Sequence, residues 1–356
     1  MCKDRMKTIK GEIKVKKLSI VLTIALVVAF AVPAMAATSV DFSGNLEMEN
    51  AYNDPGVAKS YGDLDLYLNA DIAEGVTAFT ELDYEINFEN GSKNSSTDTK
   101  KGEIDQMWIN VEDAFGPLAL RVGRMNEAAA GNILYDIEGG ANEFVRFAYD
   151  ADNISAKLGH NAEGDDSQKL LFAEGKVEDL GLVDAVTLNY IDYNAANEGF
   201  TVKVDKNHDF GNASILFGDV DTPSDSASVM DLTFASDVLF PGVNVSLEYA
   251  TAEAGFVNKD LQDDSVFADA NGVLNEDVTV IKPGVSFDVT DKLGVEFSYA
   301  MFEGDDSGDT HDYLDLVVDY DLAENTYASL EYEDNAYDGT GDTDNSVITT
   351  TLGVNF

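Results

Sequence analysis

Cysteine is almost missing from this 356-residue chain: its single thiol, Cys2, stands at the extreme N-terminus. That excludes a disulfide framework and a thiolate metal set. Histidine is nearly as scarce, and His160, His208 and His311 are spaced too widely to form a ligand or catalytic motif. No Gly-x-Ser-x-Gly elbow and no phosphate-cradling glycine loop occurs. Turnover and a bound cofactor are therefore not expected, and no metal site is assigned. One stretch with Asp334, Asp338, Asp342 and Asp344 among glycines suits Ca2+ in composition. It lacks EF-hand spacing and a closing glutamate, so it reads as a solvated loop. After residue 36, apolar runs long enough to cross a bilayer as a helix, about 20 residues, are missing as well.

The one long apolar run is LSIVLTIALVVAFAV, residues 18–32, and it is short for a span. A basic segment with seven Lys and Arg precedes it, and Pro33 and the small-residue site Ala34-Met35-Ala36 follow. That order is the grammar of a secretory signal peptide cleaved after Ala36, leaving residues 37–356 as the mature domain. Taking the leader's seven basic and two acidic residues from totals of 22 and 67 leaves 15 and 65, a net of −50. Nucleic acid is disfavoured as a partner by such charge. Disorder is excluded by an apolar content of 44% and an aromatic content of 10%.

What is present beyond the leader is period 2. In YGDLDLYLNADI, Leu64, Leu66, Leu68, Ala70 and Ile72 alternate with Asp63, Asp65, Asn69 and Asp71. In VTAFTELDYEINF, Leu82, Tyr84, Ile86 and Phe88 alternate with Glu81, Asp83, Glu85 and Asn87. NVSLEY, GVEFSY and YLDLVVDYDL do the same, and this is the strand period. Connections alternate between short turns, such as 112–116 and 290–294, and longer acidic segments, such as 89–101, 251–276, 303–310 and 334–346. Strands of about 8–12 residues joined in this way are the signature of an outer-membrane barrel. The fold class is therefore all-β, a transmembrane antiparallel barrel of about 18 strands. Sixteen is the count if the weak segments 154–177 and 184–218 merge.

A soluble sandwich would show the same alternation. The export leader, the alternating loop lengths and the terminal VITTTLGVNF, which ends on Phe356, favour the barrel. A barrel of this size leaves an aqueous lumen.

The stretch WINVEDAFGPLALRVGR, residues 108–124, resembles the strand–turn–strand of Gram-negative general porins. Phe115-Gly116 matches the turn and Gly123-Arg124 the strand end, while Arg121 and Val122 exceed the commonest spacing and preserve parity. FVRFAYDADNISAKLGH, residues 144–160, is similar to the strand after the third loop of that family. The resemblance implies an outer-membrane location, a homotrimer in outer-membrane lipid, and a third loop folded into the lumen as a constriction. By carry-over that loop is residues 125–143, with Asp136 and Glu138 as its acidic face and Gly139-Gly140 at its bend. The family often has an aromatic residue where this chain has Glu138.

Independently of that resemblance, the three arginines after residue 36, Arg121, Arg124 and Arg146, all flank this loop. Parity turns Arg121 and Arg146 inward; Arg124 has lipid-side parity but lies at a strand end. Opposite Asp136 and Glu138 they would set up a transverse field at the narrowest point. Alternation also places Asp63, Asp65, Glu81, Asp83, Glu85, Glu103, Asp105, Glu248, Glu296, Asp315 and Asp319 on the lumen face. The expected function is a water-filled channel for passive diffusion of ions and small hydrophilic solutes, preferring cations. The alternative is a barrel acting as a surface adhesin or structural anchor with little conductance.

Overall fold

A computed structural model describes residues 39–53, 57–87, 101–129, 133–137, 143–161, 170–193, 197–221, 226–254, 256, 266–267, 277–304, 310–338 and 345–356. Residues 1–36, expected to be a leader, lie outside the described residues. Twenty strands are present among the described residues. The first ten are β1 (Ser39–Asn53), β2 (Val57–Ala73), β3 (Val76–Asn87), β4 (Lys101–Val111), β5 (Leu118–Arg124), β6 (Glu127–Ala129), β7 (Tyr135–Ile137), β8 (Glu143–Ala151), β9 (Ile154–Asn161) and β10 (Leu170–Glu178). The rest are β11 (Ala185–Tyr193), β12 (Asn197–His208), β13 (Gly211–Asp221), β14 (Ser226–Phe240), β15 (Val243–Ala252), β16 (Val278–Thr290), β17 (Leu293–Gly304), β18 (Thr310–Ala323), β19 (Thr326–Asp338) and β20 (Asn345–Asn355).

Eighteen of these form one antiparallel sheet in which each strand pairs with its sequence neighbours. β1 pairs with both β2 and β20, so the sheet closes on itself. Among the described residues, β6 and β7 pair only with each other. The segments 154–177 and 184–218 do not merge; they supply β9 to β13 as separate strands, so the larger count holds. Several strands are longer than the alternation suggested, up to 17 residues in β2. The acidic ends that read as loop, such as Asp334 to Asp338, continue the ladder of β19 instead.

The outward face carries the apolar residues. Phe42, Leu46, Met48 and Tyr52 of β1 are about half exposed, as are Leu188 and Leu247 on strands far round the wall. From Phe42 to Tyr52 is ten steps of about 3.3 Å, which at a tilt of about 40° spans roughly 25 Å, the height of a lipid-facing band. Asp312 and Asp334 share this outward parity but lie beyond Leu314 and Tyr332, past the edge of the band.

Phe356 closes the seam. Its amide donates to the Gly44 carbonyl at 3.0 Å and its carbonyl accepts from the Gly44 amide at 2.9 Å. Its ring sits 6.1 Å from that of Phe42, at the turn end of the barrel.

The inner wall is fitted around side chains. At Gly123, φ is +136°, and a Cβ would lie 2.1 Å from the Met107 carbonyl oxygen. Glycine is required there both conformationally and sterically. Gly123→Ala should therefore destabilise the barrel by on the order of 2–3 kcal/mol, read as a lowered urea midpoint of the refolded protein.

Candidate functional site

The connection between β5 and β8 turns into the barrel. Its described residues form the β6–β7 hairpin, and Met125, Ala129, Leu134 and Tyr135 are almost wholly buried. They pack on inward residues of the wall: Phe144 of β8, Leu170 and Phe172 of β10, and Ile191 of β11. The Phe172 ring lies 5.7 Å from both Tyr135 and Phe144. Room for it comes from Gly159 on β9, where a Cβ would stand 2.1 Å from the ring. Burial pushes the Tyr135 hydroxyl above its ordinary value, with Glu127 and Glu174 adding to the shift.

One ion-pair network pins this hairpin. Glu127, 4% exposed, accepts a hydrogen bond from the Arg146 guanidinium on β8. Lys157 of β9 lies 3.9 Å from Glu127 and 3.3 Å from Glu174 of β10. Arg121 faces Arg146 across the β5–β8 ladder. It does not share the same partner. Its guanidinium lies 3.8 Å over the Trp108 ring, and its Nε donates to Asn110 Oδ1 at 3.5 Å. Arg124 is half-buried at the end of β5, level with Glu143.

Glu138 and the bend at Gly139-Gly140 lie outside the described residues, as do the side chains of Asp136, Glu85 and Glu103. The family likeness points to acids near the glycine pair, whereas the carboxylate that engages Arg146 is Glu127. The signal for Glu127 was a carboxylate followed by three alanines, a small-residue run able to seat against a wall. That run opens the loop, before any turn signal.

A second segment also enters the lumen, from the stretch 251–276 that the sequence marks as a long acidic connection. Phe256 and Phe267, in the connection between β15 and β16, are 1% exposed. They cover an apolar inner patch made by Val229, Ala250, Val280 and Phe302, and Ile133 of the first inward segment joins the same cluster. The two segments therefore meet inside the barrel.

The remaining wall divides by charge. Most inward cations stand on the arc from β5 to β16: Arg121, Arg146, Lys157, Lys176, Lys203 and Lys282; Lys59, near the start of β2, shares the inward parity. Several are paired nearby, as Lys203 is with Asp205 at 3.5 Å. Glu248 of β15 belongs to this arc, level with Lys282. Across the lumen, β17, β18, β19, β20 and β1 contain no lysine or arginine. Glu296, Asp315 and Asp319 lie there on the inward face. Asp63 and Asp65 of β2 continue the arc with Glu81 and Asp83 of β3. Glu81 accepts from Gln106 at 2.7 Å. Asp105 sits at the bulge where β4 slips against β3. Among the described residues the inner face is thus two-sided in charge and not uniformly acidic.

The family model for Gram-negative porins matches residues 23–340. The chain belongs to the Gram-negative porin family, and the closed 18-stranded barrel is an outer-membrane porin fold. It is similar to Pseudomonas aeruginosa OpdK with vanillate, at TM-score 0.69 and 10% identity over 89% of this chain and 98% of that one. Similar too is Pseudomonas aeruginosa OccK2 (OpdF) in complex with glucuronate, at TM-score 0.67, 10% identity and the same coverage of both chains. Acinetobacter baumannii OccAB4 gives TM-score 0.67 and 10% identity over 90% of this chain and 98% of that one. No curated protein matches the sequence.

Two outcomes follow for the inward segments. Glu127→Gln leaves Arg146 without its buried ionic partner and should cost about 3 kcal/mol of stability, read from urea unfolding. Replacing Phe256 and Phe267 together by alanine should detach the second segment and raise single-channel conductance above that of the parent barrel.

Proposed function

We propose that this porin is a passive diffusion channel that prefers cations. The observation that carries the reading is the arc from β17 through β20 to β1, which holds carboxylates and no lysine or arginine. On the opposite arc, cations are matched by carboxylates such as Glu127, Glu174 and Asp205. The balance inside the lumen is therefore negative, and a low-dielectric wall focuses that potential onto passing ions. Arg121 and Arg146, with the inward hairpin, mark the narrow region, and Asp136 and Glu138 belong to the same loop.

Two of the similar structures hold vanillate and glucuronate, both carboxylates. The basic arc here could meet such a solute, but the facing acidic arc would repel it, so the same ligands are not transferred to this chain. Assembly as a homotrimer follows the family resemblance and is read by cross-linking the refolded protein. Removal of the leader after Ala36 is read from the N-terminus of the exported chain.

The test of selectivity is the reversal potential of the refolded mature barrel in a planar bilayer under a KCl gradient. Cation preference should be several-fold near 0.1 M salt and approach unity near 1 M, where the Debye length falls to about 3 Å. Anion selectivity would mean that the basic arc governs permeation. Insertion without conductance steps would remove the channel reading.

A further inference from the structure

Three aromatic rings line one stretch of inner wall that starts at Trp108, beside the hairpin cluster, and runs away from it. Tyr67 of β2 and Phe79 of β3 lie 6.3 Å apart at 15°. Phe79 and Trp108 of β4 lie 5.3 Å apart at 30°. Register puts all three on the inward face, with Tyr67 level with Glu81 and Phe79 level with Trp108. None is fully buried, so the strip meets the lumen.

The strip already holds one cation. The Arg121 guanidinium over Trp108, at 3.8 Å, has the geometry in which the negative face of a ring attracts positive charge. Away from Arg121 the strip continues through Phe79 to Tyr67, and carboxylates border it there. Asp65 precedes Tyr67 by two residues and Glu81 follows Phe79 by two, so each projects on the same face about 7 Å along its strand. Asp83 stands opposite Asp65. Carboxylate oxygens of Asp63, Asp65 and Asp83 all lie within 4.8 Å of one another. β3 carries no lysine or arginine, and the one lysine of β2, Lys59, is near its far end.

We propose that Tyr67, Phe79 and Trp108, with Asp65 and Glu81, form a binding track for organic cations that carry a guanidinium or alkylated ammonium head. Ring faces and carboxylates together suit a weakly hydrated, partly apolar cation. A potassium ion holds its water and gains little from the rings. A neutral sugar gains nothing from the charge. The proposal rests on the channel reading only in that the ligand must reach the lumen.

Trp108 is the sole tryptophan of the chain, so its fluorescence reports on the strip directly. The refolded barrel would be titrated with agmatine and with tetramethylammonium at constant ionic strength, against KCl and against maltose. A saturable change with both cations, absent with KCl and maltose, is expected. Tyr67→Leu and Phe79→Leu should each raise the half-saturating concentration about five-fold. Asp65→Asn and Glu81→Gln should also raise it, and they carry the comparison if the leucine variants do not refold.

A response to the organic cations no different from that to KCl would overturn the proposal. So would an unchanged half-saturation in the leucine variants, or saturation by maltose alone. Because the readout needs no current, its failure leaves the channel reading standing. Binding by a barrel that passes no current would remove the channel and leave the track.

Discussion

Lipid offers no hydrogen bonds, and everything else in this molecule follows from that deficit. A strand in such a solvent must have a neighbour on each side, so the sheet can have no edge. Pairing of β1 with both β2 and β20 meets the requirement, and Phe356 completes the ladder at Gly44. Once closed, the wall has only two faces. The apolar residues of the alternation are committed to lipid, and the polar ones have nowhere to go but the lumen. The charge of the pore is in this sense a by-product of solving the backbone problem.

Eighteen strands enclose more space than their own side chains fill, and the chain fills part of it with itself. The β6–β7 hairpin and the segment bearing Phe256 and Phe267 each lie on an apolar inner patch. These patches break the rule that inward residues are polar, and they occur where an inward segment covers them. Loss of water from the apolar surfaces holds each segment, and Glu127 adds direction by engaging Arg146. Elsewhere the wall stays polar: on one arc lysines and arginines are matched by carboxylates, and on the other the carboxylates have no lysine or arginine beside them.

The barrel was legible because its strongest signal is periodic and repeated. Asp63 to Ile72 and Glu81 to Asn87 need no tertiary information to be read as strands with two faces. Phe256 and Phe267 were not legible, because an isolated phenylalanine in an acidic loop has no period to set its direction. Their burial depends on Val280 and Phe302, which are distant in sequence and whose own inward parity looks anomalous until the covering segment is seen. Glu127 was hidden for a related reason: its partner was to be chosen among several loop carboxylates, and only packing decides. The charge division was visible in principle, since β17 to β20 and β1 lack lysine and arginine, yet it acquires meaning only when those strands are adjacent around a closed wall.

The seam also sets an order of events in time. β1 begins at residue 39 and its closing partner ends at residue 355, so almost the whole chain must exist before the first strand has both neighbours. Most of the other pairings are local hairpins, cheap in loop entropy, whereas this one joins ends about 300 residues apart. Until it forms, two unpaired edges and a wide apolar face are open to any other chain. The exported polypeptide therefore spends the interval before closure as a sheet with a sticky rim. Whatever holds it then must let go only when its last eleven-residue strand has found the first.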